Sequence, residues 1–205
     1  SDQLGRGRRV ILDHITDPRY LGIGNYLKTG SMFGMDFIFN EIPEKLDPFD
    51  YEAFNRNPCT FLVGVTDVET GKPVYFDKAH MRDSTTVLRA SSSIPVFSPI
   101  VTYEGKRYLD GGTSDPIPVR RALEEGCDRL VVVLTRPAGY RKKPESGRVL
   151  YRRIYRKYPG MIACLDHRHE VYNEDLDFVA ELEKQGKAKV LRPPLSIKID
   201  RFEKD

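Results

Sequence analysis

The chain has 205 residues, enough to bury one sizeable core, so a single domain or most of one across 1–205 is expected. Its 33 basic and 30 acidic residues leave a net charge of +3, too close to neutral for a nucleic-acid partner to be expected. No apolar run approaches the roughly 18 to 20 residues of a membrane-spanning helix.

In chain order, residues 17–30 suggest short helices. Residues 32–39 form an apolar turn-and-helix cluster leading to Ile42-Pro43, and 50–58 end a connection. Residues 60–66 read as a strand, and Glu69-Thr70-Gly71-Lys72 turns the chain back into 74–76. A helix of small residues near 88–93 follows, then a hairpin over 101–109 turning at Glu104-Gly105. Beyond it, 116–126 has a helical pattern, and 129–134 is a continuous apolar run of the kind a buried parallel strand requires. A long helix through Leu176, Val179 and Leu182 ends near Gly186, and a strand covers 189–193. Together these elements predict an α/β arrangement without internal repeats.

Asp110 stands out, at the end of the hairpin and followed at once by Gly111 and Gly112. Such a corner has two readings. It is a tight turn of a common type, with glycine supplying positive φ, or it presents a carboxylate at the mouth of a cleft beside backbone N–H groups. Ser114 or Asp115 could cap the next helix, with Pro116 or Pro118 in its first turn.

The order of elements from Arg89 to Leu134 (small-residue helix, Pro, hairpin, Asp-Gly-Gly, helix, apolar strand) resembles the second half of a patatin-like phospholipase domain of the bacterial branch, and the likeness extends over nearly the whole chain. The resemblance implies a three-layer α/β/α hydrolase-type sheet with helices on both faces, incomplete at the N-terminus. It also implies a serine lipid acyl hydrolase with a Ser-Asp dyad, in which Asp110 orients and activates the serine of a Gly-x-Ser-x-Gly elbow. No cofactor is implied, and the substrate is a lipid or small ester. The elbow itself is absent. Ser31 has Gly30 before it and Gly34 three after, the wrong spacing, and Ser114 has Gly112 two before but Pro116 two after. The nucleophile and its Gly-rich oxyanion loop are therefore expected upstream of Ser1. As a fragment, this chain would be inert.

Other candidates surround this motif. Arg89, Ser91, Arg168, His169 and Tyr172 are candidate cleft-lining residues; an Arg-His-x-x-Tyr-Asn run recurs in the resembling branch without a metal. His167 and His169 lie two apart, about 200° around a helix, a poor spacing for sharing one ion, so no metal is expected. A metal-dependent hydrolase using Asp110 or Asp115 with the His167–His169 region remains an alternative. So does a non-catalytic interaction module. The basic segment 136–157 interleaves Leu150, Tyr151, Ile154, Tyr155 and Tyr158 with cations. Arg152, Arg153, Arg156 and Lys157 thus become candidate contacts to an anionic membrane surface, unless the stripe packs on the core and leaves a solvated basic face. Cys59, Cys127 and Cys164 are odd in number and widely spaced, which predicts buried free thiols and a reducing, cytoplasmic location, peripheral to membrane at most.

Overall fold

The computed structural model describes residues 3–81 and 85–196. Helix α1 (Arg6–His14) enters from Gly5 and is tied down by charge, with Arg9 donating twice to the Asp47 carboxylate at 2.7 and 3.0 Å. Helix α2 (Ile23–Thr29) follows, then a wide π-helical stretch, Phe37–Leu46, with Pro43 inside it. The segment read as a plain connection contains helix α3 (Tyr51–Arg56). Asp50 starts it by accepting the Ala53 N–H at 2.8 Å, an N-cap the sequence displays but periodicity over six residues does not.

Strands β1 (Val63–Asp67) and β2 (Pro73–Phe76) form the first antiparallel pair, and helix α4 (Thr86–Ser91) leads to β3 (Val101–Tyr103) and β4 (Lys106–Asp110). The β3–β4 turn has Glu104 at φ 47° and Gly105 at φ 74°, the two left-handed residues that keep a two-residue hairpin in step with strand twist. Strand order is β2-β1-β4-β3, with Val65 opposite Asp110. Alternation then sends neighbouring residues of β4 to opposite faces. Tyr108 packs with Val65, Phe76 and the α4 residues Val87 and Ala90. Leu109 packs with Tyr151, Tyr155, Met161 and Leu165. Those four belong to α6 (Arg148–Ile154), α7 (Pro159–Lys184) and the turn between them, so helices cover both faces of the sheet.

Between these layers, α5 (Val119–Glu124) precedes β5 (Leu130–Val133), which pairs in parallel with the last strand, β6 (Ala188–Leu191). Val119, Leu130 and Val132 pack on Val179 and Leu182 of α7. The parallel partner agrees with the apolar run, but burial on both faces does not: Val131 and Val133 are 68% and 72% exposed. The fold is mixed α/β with helices on both sides of its main sheet, as a patatin-like α/β/α layering requires. Among the described residues no helix is long and apolar enough to cross a membrane.

Candidate active site

Asp110 ends β4 and starts a single 3-10 turn, Gly111–Thr113, whose first free amide it caps: its Oδ1 accepts the Gly112 N–H at 2.7 Å. The backbone around it is held from three other sides. The Asp110 N–H donates to the Ser93 carbonyl at 2.9 Å, and the Thr66 hydroxyl donates to the Asp110 carbonyl at 2.7 Å. From α7, the Arg168 Nε donates to the Gly112 carbonyl at 3.0 Å, while its other arm reaches Glu145 at 3.2 Å. One turn earlier on α7, the Cys164 thiol faces the Thr113 carbonyl at 3.5 Å, and burial pushes that thiol up to about 11.

Positive φ is not what the glycines supply here, contrary to the expectation from sequence, because neither Gly111 nor Gly112 is left-handed. Gly111 is required by close approach. A Cβ there would lie 2.2 Å from the Gly64 carbonyl oxygen of β1, inside any tolerable contact.

A cavity of about 370 Å³ opens beside the corner, walled by Gly64, Ser91, Gly111, Gly112, Asp115 and Arg121 among others. On its wall the Tyr75 hydroxyl donates to the Asp115 carboxylate, and burial first, then this bond, raises the phenol well above its ordinary range. The Ser114 and Asp115 side chains are thus spent elsewhere than on a helix cap. Ser114 shares a bond with Thr66 at 2.8 Å, and α5 starts only after Pro118, without a side-chain cap. Near Asp115 stands Asp175 of α7, which is buried, has one oxygen 3.7 Å from Arg120 and has the other with no hydrogen-bond partner among the described residues. Burial, then the Asp115 charge, pushes its carboxyl up to about 6.

Of the candidate cleft residues, Ser91 lines the cavity and Arg168 grips the corner. Arg89 instead pairs with Asp36 at 3.0 Å. His169 is mostly buried with Nδ1 unpartnered among the described residues, and Tyr172 lines a different cavity, against Ile117, Val132 and Leu134. His167 is exposed and bonds Glu170 at 2.7 Å; among the described residues no three His, Cys, Asp or Glu side chains group as metal ligands would. Cys59 and Cys127 are exposed rather than buried, and Cys164 is half-buried; all three thiols are free. Tyr75 and Asp175 carried no sequence signal, since each meets the loop only through tertiary contact.

The basic segment also differs from its reading as one stripe. Tyr151 and Tyr155 are buried, but Val149, Leu150 and Ile154 face outward. Arg152 and Arg148 are drawn onto Asp166 at 2.5 and 3.1 Å, so Arg152 is committed to structure, whereas Arg153, Arg156 and Lys157 stand around Ile154 on the surface.

The model of the family described as patatin-like phospholipase matches residues 5–123, more than half of the chain and inclusive of Asp110. The chain belongs to the patatin-like phospholipase family. A second model, a domain of unknown function (DUF6363), matches residues 158–205, so within this patatin-like chain Arg168 and Asp175 come from a separately recognised segment. Among curated proteins the chain is 27% identical over 201 residues to the uncharacterized protein YjjU of Escherichia coli, covering 94% of this chain and 55% of that protein. It is 37% identical over 60 residues to mouse 1-acylglycerol-3-phosphate O-acyltransferase Pnpla3, covering 28% of this chain and 14% of that protein. The chain therefore spans about half the length of one curated relative and a small part of the other.

Proposed function

We propose that this chain supplies the carboxylate half of a serine lipid acyl hydrolase, with Asp110 as the catalytic residue and the serine and oxyanion donors contributed by sequence outside these 205 residues. The observation that carries the reading is the corner itself. Asp110 is pinned by Ser93, Thr66, Gly112 and, through Gly112, Arg168, beside a cavity and inside the segment the patatin-like model matches. A carboxylate that must reach a serine without a histidine between them needs this kind of placement.

In the reaction, the Asp110 carboxylate accepts the serine proton as the serine oxygen bonds to the ester carbonyl carbon, and the proton then leaves with the alcohol. Water, deprotonated by the same carboxylate, releases the carboxylic acid and restores the serine. Each oxyanion donor contributes on the order of 3 kcal/mol to the barrier reduction. An alcohol in place of water would make the same acyl-enzyme a transferase, the activity named for the mouse relative. Asp110→Asn in the complete enzyme keeps an oxygen for the Gly112 N–H and removes the base. Hydrolysis of short acyl esters should fall on the order of 1000-fold with the melting temperature nearly unchanged. Retained turnover would refute the dyad.

The surface around Ile154 favours a second element of the reading, contact with anionic lipid. Val149 is 85% exposed and Leu150 and Ile154 are about half exposed, next to Arg153, Arg156 and Lys157. Each cation near an anionic surface contributes about 1 kcal/mol, so replacing these three with Gln should weaken binding to phosphatidylserine-containing vesicles about 100-fold. Neutral vesicles should show no change, and equal sedimentation with anionic vesicles would remove this element.

A further inference from the structure

A second cavity, of about 610 Å³, lies between the N-terminal helices and the segment entering β1, a size in the range of small-ligand sites. Its walls are aromatic and aliphatic, with Phe39, Phe49, Phe54, Phe61 and Leu88 facing in. Two cations, Arg6 and Lys78, also line it, and no carboxylate does among the described residues. Arg6 is already answered, since it donates to the Asp47 carbonyl at 2.5 Å and lies 3.4 Å from that carboxylate.

Lys78 is not answered. Its ammonium donates to the Asn57 carbonyl at 2.6 Å and stands 5.2 Å from the centre of the Phe54 ring, with no carboxylate partner among the described residues. An ammonium carries three donors, and a half-buried one without a counter-charge is an electrostatic debit that an anion would relieve. The chain at 61–62 and helix α4 stand between this cavity and the one at the Asp-Gly-Gly corner. Phe61 faces one and Leu62 the other; on α4, Leu88 faces one and Ser91, nearly a turn later, the other.

We propose that this cavity binds a single long alkyl chain carrying a carboxylate, a fatty acid, with the chain among the phenylalanines and the carboxylate on the Lys78 ammonium. That such an acid is the product released at the neighbouring corner rests on the hydrolase reading; the binding site does not.

Calorimetry of the chain with laurate below its micelle concentration, and with uncharged dodecanol, tests this. Laurate should bind at one site about tenfold more tightly than dodecanol, the margin of one charge-assisted hydrogen bond. Lys78→Met should erase that margin while leaving dodecanol unchanged. Thr60→Glu, at an exposed position on the cavity wall, should weaken laurate selectively and leaves the Lys78–Asn57 contact in place should Lys78→Met fail to fold. Absence of saturable laurate binding, equal affinity for laurate and dodecanol, or laurate affinity untouched by both variants overturns the site. Lost binding with Asp110-dependent hydrolysis intact would overturn this proposal alone, and intact binding without such hydrolysis would overturn the hydrolase reading alone.

Discussion

The Asp110 corner and the Asp175 patch share the loop that runs from β4 to α5, and each places a carboxylate against it, yet the two are built on opposite principles. At the corner, backbone groups converge: Gly112 donates to the carboxylate while Ser93, Thr66 and Arg168 hold the chain on either side of it. At the patch, Asp175 is buried beside the Asp115 charge with one oxygen unpartnered and only a distant Arg120, so its proton is held up to about 6. Burial alone makes a carboxylate a cost to the fold. Donors supplied by a turn make it a fixture that chemistry can use.

The largest effect that would sharpen this contrast is on stability at neutral pH. Asp175 gives up its proton near pH 6 when folded and near 3.8 when unfolded, so from about pH 4 to about pH 6 the unfolded chain is increasingly favoured by this group. The penalty is absent below that window and complete above it, about 3 kcal/mol from the shift of about two pH units. Asp175→Asn should therefore stabilise the chain at pH 7 by up to about 3 kcal/mol and hardly at all at pH 4, measured by urea unfolding at both. An unchanged pH slope would break the contrast.

A smaller effect, and a loss, is expected at the corner itself. Gly111→Ala sets a methyl group 2.2 Å from the Gly64 oxygen, so β1 and the corner must separate. Overpacking of this kind costs about 2 kcal/mol. Gly112→Ala meets only the Asp110 carboxylate, at 3.2 Å, and should cost less in unfolding experiments. Equal losses at the two positions would mean that contact with β1 is not what Gly111 provides.

These particulars also mark what can be read from sequence. The corner was legible because its parts are adjacent in the chain: a hairpin whose Glu104-Gly105 turn adopts the two left-handed conformations, then Asp110 and two glycines. Its direction was not, since Tyr108 and Leu109 are both apolar and only the structure shows that they pack in different cores. The reason for Gly111 was not, because the atom that forbids a side chain belongs to Gly64, on another strand. Nor was the patch, where Tyr75 and Asp115 are 40 residues apart and no periodicity links them. Segment 148–158 shows an intermediate case. The four-residue spacing of Tyr151 and Tyr155 predicts a buried stripe and they are buried, but Leu150 and Ile154 share that spacing and face solvent. Periodicity assigns residues to a common face without saying which face meets the core.

The smallest effect concerns how far the corner depends on α7. Arg168 reaches 56 residues back to the Gly112 carbonyl while Glu145 holds its other arm, and Cys164 meets the same loop at the Thr113 carbonyl. Removing one hydrogen bond among several should cost about 1 kcal/mol of stability. On the proposed dyad the consequence for catalysis should be out of proportion to that, because a carboxylate acting directly on a serine has no intermediate group to absorb a displacement of a few tenths of an ångström. Arg168→Gln in the complete enzyme should lower kcat about tenfold with KM unchanged, since Arg168 holds the Gly112 carbonyl and is not part of the cavity wall. Arg168→Lys keeps the charge and loses the directed Nε–H, so a failure of Lys to rescue would assign the effect to geometry and full rescue would assign it to charge. If kcat falls no further than the stability change explains, α7 braces the fold and the corner stands without it.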